Sequence, residues 1–116
     1  MKTLKFDLLV CIVVLISSCG SKPSDSQLQK DFENSVEAKY PRYMKGISCT
    51  KTNGIENEDG QGSYTVMFEG EILGINNFVS VGFGIKDGEK IRVKGKMMYK
   101  KSEKGWIVSK FDFEKI

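Results

Sequence analysis

The apolar residues of this chain change period at Pro41, and that switch constrains the fold more than any other feature. Before it, Leu28, Phe32, Val36 and Tyr40 recur every four residues, which places them on one stripe of an α-helix. Lys30, Asp31, Glu33, Glu37 and Lys39 occupy its other faces. Ser24 and Ser26 each have a glutamine three residues on (Gln27, Gln29), the pattern of a capping box at a helix start. Pro41 lacks an amide donor and disfavours helical geometry in the residue before it, so the helix ends at or near Tyr40.

After Pro41 the apolar period falls to two. Residues 46–51 read as a short strand with Ile47 and Cys49 on one face. Residues 52–63 contain Asn53-Gly54, Asp59-Gly60 and Gly62, which predicts a loop or an elaborated hairpin turn. Residues 64–73 set Tyr64, Val66 and Phe68 against Thr65, Met67 and Glu69. Residues 78–85 read as one strand with Val79, Val81, Phe83 and Ile85 sharing a face, and Asp87-Gly88 then turns the chain. Residues 90–100 set Ile91, Val93, Met97 and Tyr99 against Lys90, Arg92, Lys94 and Lys96. A turn at residues 102–105 leads into a last strand over 106–113. The sum is an α+β fold: one N-terminal amphipathic helix packed on an antiparallel sheet of about four strands.

The first 18 residues are of a different kind. Lys2 and Lys5 give a short positive start, partly offset by Asp7, and residues 8–16 (LLVCIVVLI) are an unbroken apolar run. A bilayer-spanning helix needs about 20 apolar residues, so this run is too short to span and has the length of a signal-peptide core. It leads through Ile16-Ser17-Ser18 into Cys19. That stretch resembles the lipobox of bacterial lipoproteins, departing from it in carrying Ile16 where leucine is more usual. The resemblance implies that the Cys19 thiol receives a diacylglycerol and that cleavage makes Cys19 the first residue. One acyl chain holds a protein on a membrane only reversibly, whereas the two or three of a processed lipoprotein make release negligible. Gly20 follows the cysteine, where an aspartate would resemble the inner-membrane retention signal of enteric lipoproteins. The expected location is thus a cell membrane, or the outer membrane in a Gram-negative source.

On this reading the chain divides into a cleaved leader (1–18), a lipidated cysteine with a polar, turn-prone tether (19–25) and one domain (26–116). Loss of the leader also removes Cys11 and lowers the net charge from +3 to +2, too mild a balance to argue for nucleic acid. Cys49 is then left without a disulfide partner in the chain. The 98 residues from position 19 onward bury about two-thirds of their unfolded surface, so a core forms without a staple. The order of elements is similar to the cystatin-like and NTF2-like folds, in which a helix lies in the concavity of a bent antiparallel sheet. The closing hairpin at residues 99–108 looks like that of many small lipoproteins of this type.

Catalytic chemistry finds little to work with. The chain has no histidine, so the commonest general base and the commonest zinc ligand are missing. Cys49 has no base to activate it and reads as a core residue. Glu56, Glu58 and Asp59 cluster in a glycine-rich stretch but lack the regular spacing of a calcium loop. Gly82-Phe83-Gly84 has no helix after it to converge backbone amides on a phosphate. No catalytic residue, cofactor or metal is therefore expected. Lys90, Arg92, Lys94, Lys96 and Lys100 form a basic stripe on one strand face, with Trp106 nearby, and export sets aside its nucleic-acid reading. The stripe reads as a solvated face or as a contact surface for anionic headgroups or an acidic protein. Together these features predict a non-enzymatic protein-binding module on the envelope (an inhibitor, an immunity factor or an accessory subunit), with a small-ligand carrier as the alternative.

Overall fold

The computed structural model describes residues 22–56 and 62–116. The leader, Cys19 and the start of the tether lie outside the described residues, as do Glu58 and Asp59. The structure is a helix and a four-stranded antiparallel sheet, an α+β arrangement.

Helix α1 spans Asp25–Lys39. Of the two serines that can cap it, Ser24 does so: its Oγ accepts from the Gln27 amide at 3.1 Å, satisfying one of the orphan donors of the first turn. The helix buries Leu28, Phe32 and Val36, and Tyr40 leaves helical geometry directly before Pro41. The apolar stripe and the proline stop are both realised. Past Pro41 the chain reverses through Arg42, which takes the left-handed region at φ 74°.

Strands β1 (Met44–Glu56), β2 (Ser63–Gly74), β5 (Lys90–Ser102) and β6 (Gly105–Lys115) form the main sheet in the order β1-β2-β5-β6, all neighbours antiparallel. Strands β3 (Phe78–Ser80) and β4 (Phe83–Ile85) form a separate small hairpin between β2 and β5 in the chain. The alternation of β2 and β5 holds in detail, with Tyr64, Val66, Phe68, Ile72, Ile91, Val93, Met97 and Tyr99 all buried.

Three expectations need correction. Strand β1 runs well past residues 46–51, and bulges at Ile47 and Thr52 shift its phase twice. Met44, Gly46, Cys49 and Lys51 therefore share the helix-facing side, and Ile47 does not pair with Cys49. Asn53-Gly54 is not a turn but part of β1, paired with Met67 and Val66; a side chain at Gly54 would fall on the Tyr64 hydroxyl. Residues 78–85 are not one strand. They fold back at Val81-Gly82, where Gly82 adopts φ 79°, a conformation glycine reaches without strain.

The core is organised around Phe32. Its ring meets Phe68 edge-on at 5.3 Å and Phe111 at 6.1 Å. Phe68 and Phe111 stack in parallel at 5.8 Å although β5 runs between their strands, because the β5 residue opposite Phe68 is Gly95. The ring also presses on Gly46 and Gly70: a Cβ at Gly46 would lie 3.0 Å from the Phe32 ring and 3.1 Å from the Glu33 Cα. Gly46→Ala must push α1 away from the sheet, and overpacking of this kind costs about 1–3 kcal/mol. The expected result is a urea midpoint lowered with unchanged slope; an unaltered midpoint would show that Phe32 does not seat there.

Candidate interaction surfaces

The basic stripe lies on the sheet face turned away from α1. Lys90, Arg92, Lys94, Lys96 and Lys100 alternate with the buried side of β5 and are all exposed. Strand register sets acids on both sides of them: Glu71 lies opposite Arg92, Glu69 and Glu114 flank Lys94, and Asp112 lies opposite Lys96. Arg92 approaches Glu69 at 3.8 Å and Lys94 approaches Glu114 at 3.7 Å, all four side chains well exposed. Exposed pairs of this kind are worth about 0–1 kcal/mol in stability, but they offset the local positive charge. An open depression of about 480 Å³ on this face, lined by Thr52, Met67, Glu69, Lys94, Lys96 and Asp112 among others, has mixed charge for the same reason. The structure does not bring Trp106 to this stripe. Trp106 pairs with Lys101 across β5 and β6, on the α1 side, and its ring lies 6.2 Å from Tyr64.

The helix-facing side is occupied by buried side chains. Phe32 and Val36 are fully buried, as are Val93, Met97 and Tyr99. Tyr99 donates its hydroxyl proton to Asp31 Oδ2 at 2.9 Å, with the Met97 sulfur 3.2 Å away. Burial raises the Tyr99 phenol above its ordinary range, and the Asp31 carboxylate adds to the shift. Cys49 is half-buried against this core, and burial pushes its thiol up to about 12. A thiol so raised is protonated at neutral pH and a poor nucleophile. Among the described residues no three Cys, Asp or Glu side chains gather closely enough to hold a metal ion. Glu56 is exposed at the end of β1, apart from the ligand-poor core.

One surface escaped the sequence reading. At the β3–β4 tip Val79 is 87% exposed and Val81 fully so, and Tyr43 and Ile75 are exposed nearby. The hairpin stands on an aromatic base: Tyr40 packs on Phe78 at 5.2 Å and on Phe83 at 6.2 Å, Tyr43 on Phe78 at 5.1 Å. The Val81-Gly82 dipeptide is the sequence signal for this turn, masked by the regular alternation of apolar residues around it. Asn76 also donates to the Arg42 carbonyl, and the Ile75 amide donates to the Tyr43 carbonyl at 2.9 Å, so the base is tied to the turn after α1.

The described residues include no helix long and apolar enough to cross a membrane. Comparison of the chain with family models, curated proteins and solved structures returns no match.

The Cys49 thiol yields a signed prediction. Its folded-state value lies above the value of 9.0 it has when exposed, so folding favours the protonated thiol. The associated stability is complete below about pH 9 and is lost as pH rises toward 12. Tyr99 shifts in the same direction and adds to the loss. Native protein at pH 8 is expected to react with a disulfide reagent far more slowly than urea-unfolded protein. Cys49→Ala is expected to flatten part of the alkaline fall in stability; equal thiol rates in the two states would contradict the burial of Cys49.

Proposed function

We propose that the chain is a lipid-anchored envelope protein, held by acyl chains on Cys19, whose domain binds another protein through the β3–β4 tip. The observation that carries this reading is the position of two exposed valines at the end of the domain opposite its tether. Lys22 lies over the Tyr64 ring at 5.8 Å, whereas Tyr40, at the far end of α1, supports the hairpin through Phe78 and Phe83. Fifteen helical residues separate these ends by about 22 Å. An anchor at one end and an apolar tip at the other present the tip away from the bilayer.

The composition of the tip supports a protein partner. Tyr43 and Arg42 are of the types enriched at the centres of protein interfaces, and Ile75, Val79 and Val81 set exposed aliphatic surface beside them. The filled interior beneath Leu28, Phe32 and Val36 supports recognition by the surface over carriage of a small ligand inside. The way α1 reaches both edge strands of the sheet supports grouping the fold with the cystatin-like type that the order of elements resembles.

Three measurements test the reading. A photo-crosslinking residue at position 81 is expected to give a discrete protein adduct in intact cells, and the same residue at Lys30 is expected to give none. Val79→Ser with Val81→Ser is expected to weaken the underlying complex by tenfold or more, since burying a valine is worth about 1.5–3 kcal/mol. Cys19→Ala is expected to abolish lipid mass and release the chain from membranes. Adducts from both positions alike, or a lipid-bearing Cys19→Ala variant, would overturn the corresponding half of the proposal.

A further inference from the structure

The tether end of the domain carries features that partner binding at the far tip does not use. Gln27 Nε2 donates to the Trp106 carbonyl at 2.7 Å, so α1 begins beside the tip of the β5–β6 hairpin. That tip reads Lys100-Lys101-Ser102-Glu103-Lys104-Gly105-Trp106-Ile107. Lys100, Lys101 and Lys104 are exposed, and so is Ile107 at 53%. None of these three lysines stands within ion-pair distance of a carboxylate among the described residues, in contrast to Arg92 and Lys94 further along β5. Trp106 lies on the α1 side of the hairpin and Ile107, opposite Lys100, on the other side, so an apolar group flanks the lysines on each side. Glu103 lies in the turn itself and Glu56 at the end of β1. The sequence adds Glu58 and Asp59 in the stretch that leads to Gly62, whose carbonyl accepts from the Lys101 amide.

We propose that the β5–β6 tip is a second membrane contact, with Lys100, Lys101 and Lys104 meeting anionic lipid headgroups and Trp106 and Ile107 entering the interface. The inference rests on the lipid-anchored reading and extends it: the anchor fixes distance, and the tip fixes orientation. Lys22 stands three positions after Cys19, a reach of about 10 Å. That is comparable with the Debye length of about 8 Å at physiological ionic strength, so the field of an anionic leaflet would extend to the tether end of the domain, where Gln27 meets the β5–β6 hairpin. Because the lipid already holds the domain there, the contact is in effect intramolecular and is populated even when weak. Tryptophan is a residue enriched at the headgroup level of membranes, and half-buried Trp106 stands at the rim of the core. A domain held at both points stands end-on, with the β3–β4 tip outward.

Lysine footprinting on the full-length protein, purified from membranes and reconstituted in vesicles, tests this. One set of vesicles is phosphatidylcholine alone; the other includes phosphatidylglycerol. Acetylation of Lys100, Lys101 and Lys104 is expected to slow several-fold in the anionic vesicles, with Lys86 and Lys90 unchanged, and high salt is expected to remove the protection. Replacing the three lysines with glutamine is expected to leave flotation intact while label at Val81 loses its fixed height above the bilayer. Equal acetylation in both lipids overturns the contact and leaves the anchor standing. Flotation with anionic but not neutral vesicles overturns the anchor and leaves the contact standing. Protection that needs added envelope protein rather than phosphatidylglycerol assigns the tip to a protein and overturns the proposal.

Discussion

Phe32 stands where α1 crosses the sheet, and the positions of the neighbouring elements follow from what its ring requires. A ring seated this close to a sheet needs strand residues without side chains beside it, and Gly46 and Gly70 supply them. The ring's edge-on contacts with Phe68 and Phe111 need those two side chains to meet across β5, which Gly95 permits. Residues from β1, β2, β5 and β6 are thus committed to a single side chain of the helix. Aromatic contacts of this geometry add about 0.5–1.5 kcal/mol each beyond the area they bury, so Phe32 ties the helix to the far strand of the sheet as well as to the near ones.

The same placement settles the two open edges. Strands β1 and β6 are the outer members of the sheet, and their unpaired backbone groups would template association with another chain. Polar side chains of α1 reach both. Gln29 accepts from the Cys49 amide and donates to the Ile47 carbonyl, each at 2.9 Å, as a neighbouring peptide unit would. Gln27 donates to the Trp106 carbonyl on β6, and Lys39 reaches the Phe111 carbonyl at 3.4 Å. The bulges at Ile47 and Thr52 in β1 and at Ser109 in β6 bend these strands further and interrupt the regular edge. Asp31, one of the charges off the apolar stripe of α1, accepts a hydrogen bond from the Tyr99 hydroxyl.

What was legible in the sequence was whatever periodicity alone decides. Leu28, Phe32 and Val36 fix the buried stripe of α1, Pro41 fixes its end, and β2 and β5 alternate without interruption, so their inward residues could be read directly. Bulges defeat that method, because one extra residue inverts the face of everything after it. For this reason Ile47 and Cys49 were grouped wrongly, and the reach of β1 through Asn53-Gly54 was hidden by a dipeptide that ordinarily turns. The β3–β4 hairpin was hidden for the opposite reason: alternation continued through Val81-Gly82, and two short strands imitated one long one. The stripe of Lys90, Arg92, Lys94 and Lys96 was legible as a row, but its electrostatic setting depended on register. Glu69, Glu71, Asp112 and Glu114 come beside it only after pairing.

Register also gives the domain its polarity. Cross-strand acids accompany Arg92 and Lys94 in the middle of β5, and they give out toward the β5–β6 tip, where Lys100 faces Ser63 and Ile107 instead. Among the described residues, positive charge outside ion pairs is therefore concentrated where α1 begins, and the most exposed aliphatic side chains, Val79 and Val81, stand where it ends. A rigid helix joins the two, and the Phe32 contacts prevent it from tilting independently of the sheet. On the proposed reading, a partner docked at Val79 and Val81 would meet a tip whose height and heading are set at the opposite end of the domain. The stiffness of the core thereby becomes part of the proposed function: a loosened Phe32 seat would leave both surfaces intact and still lose the fixed relation between them.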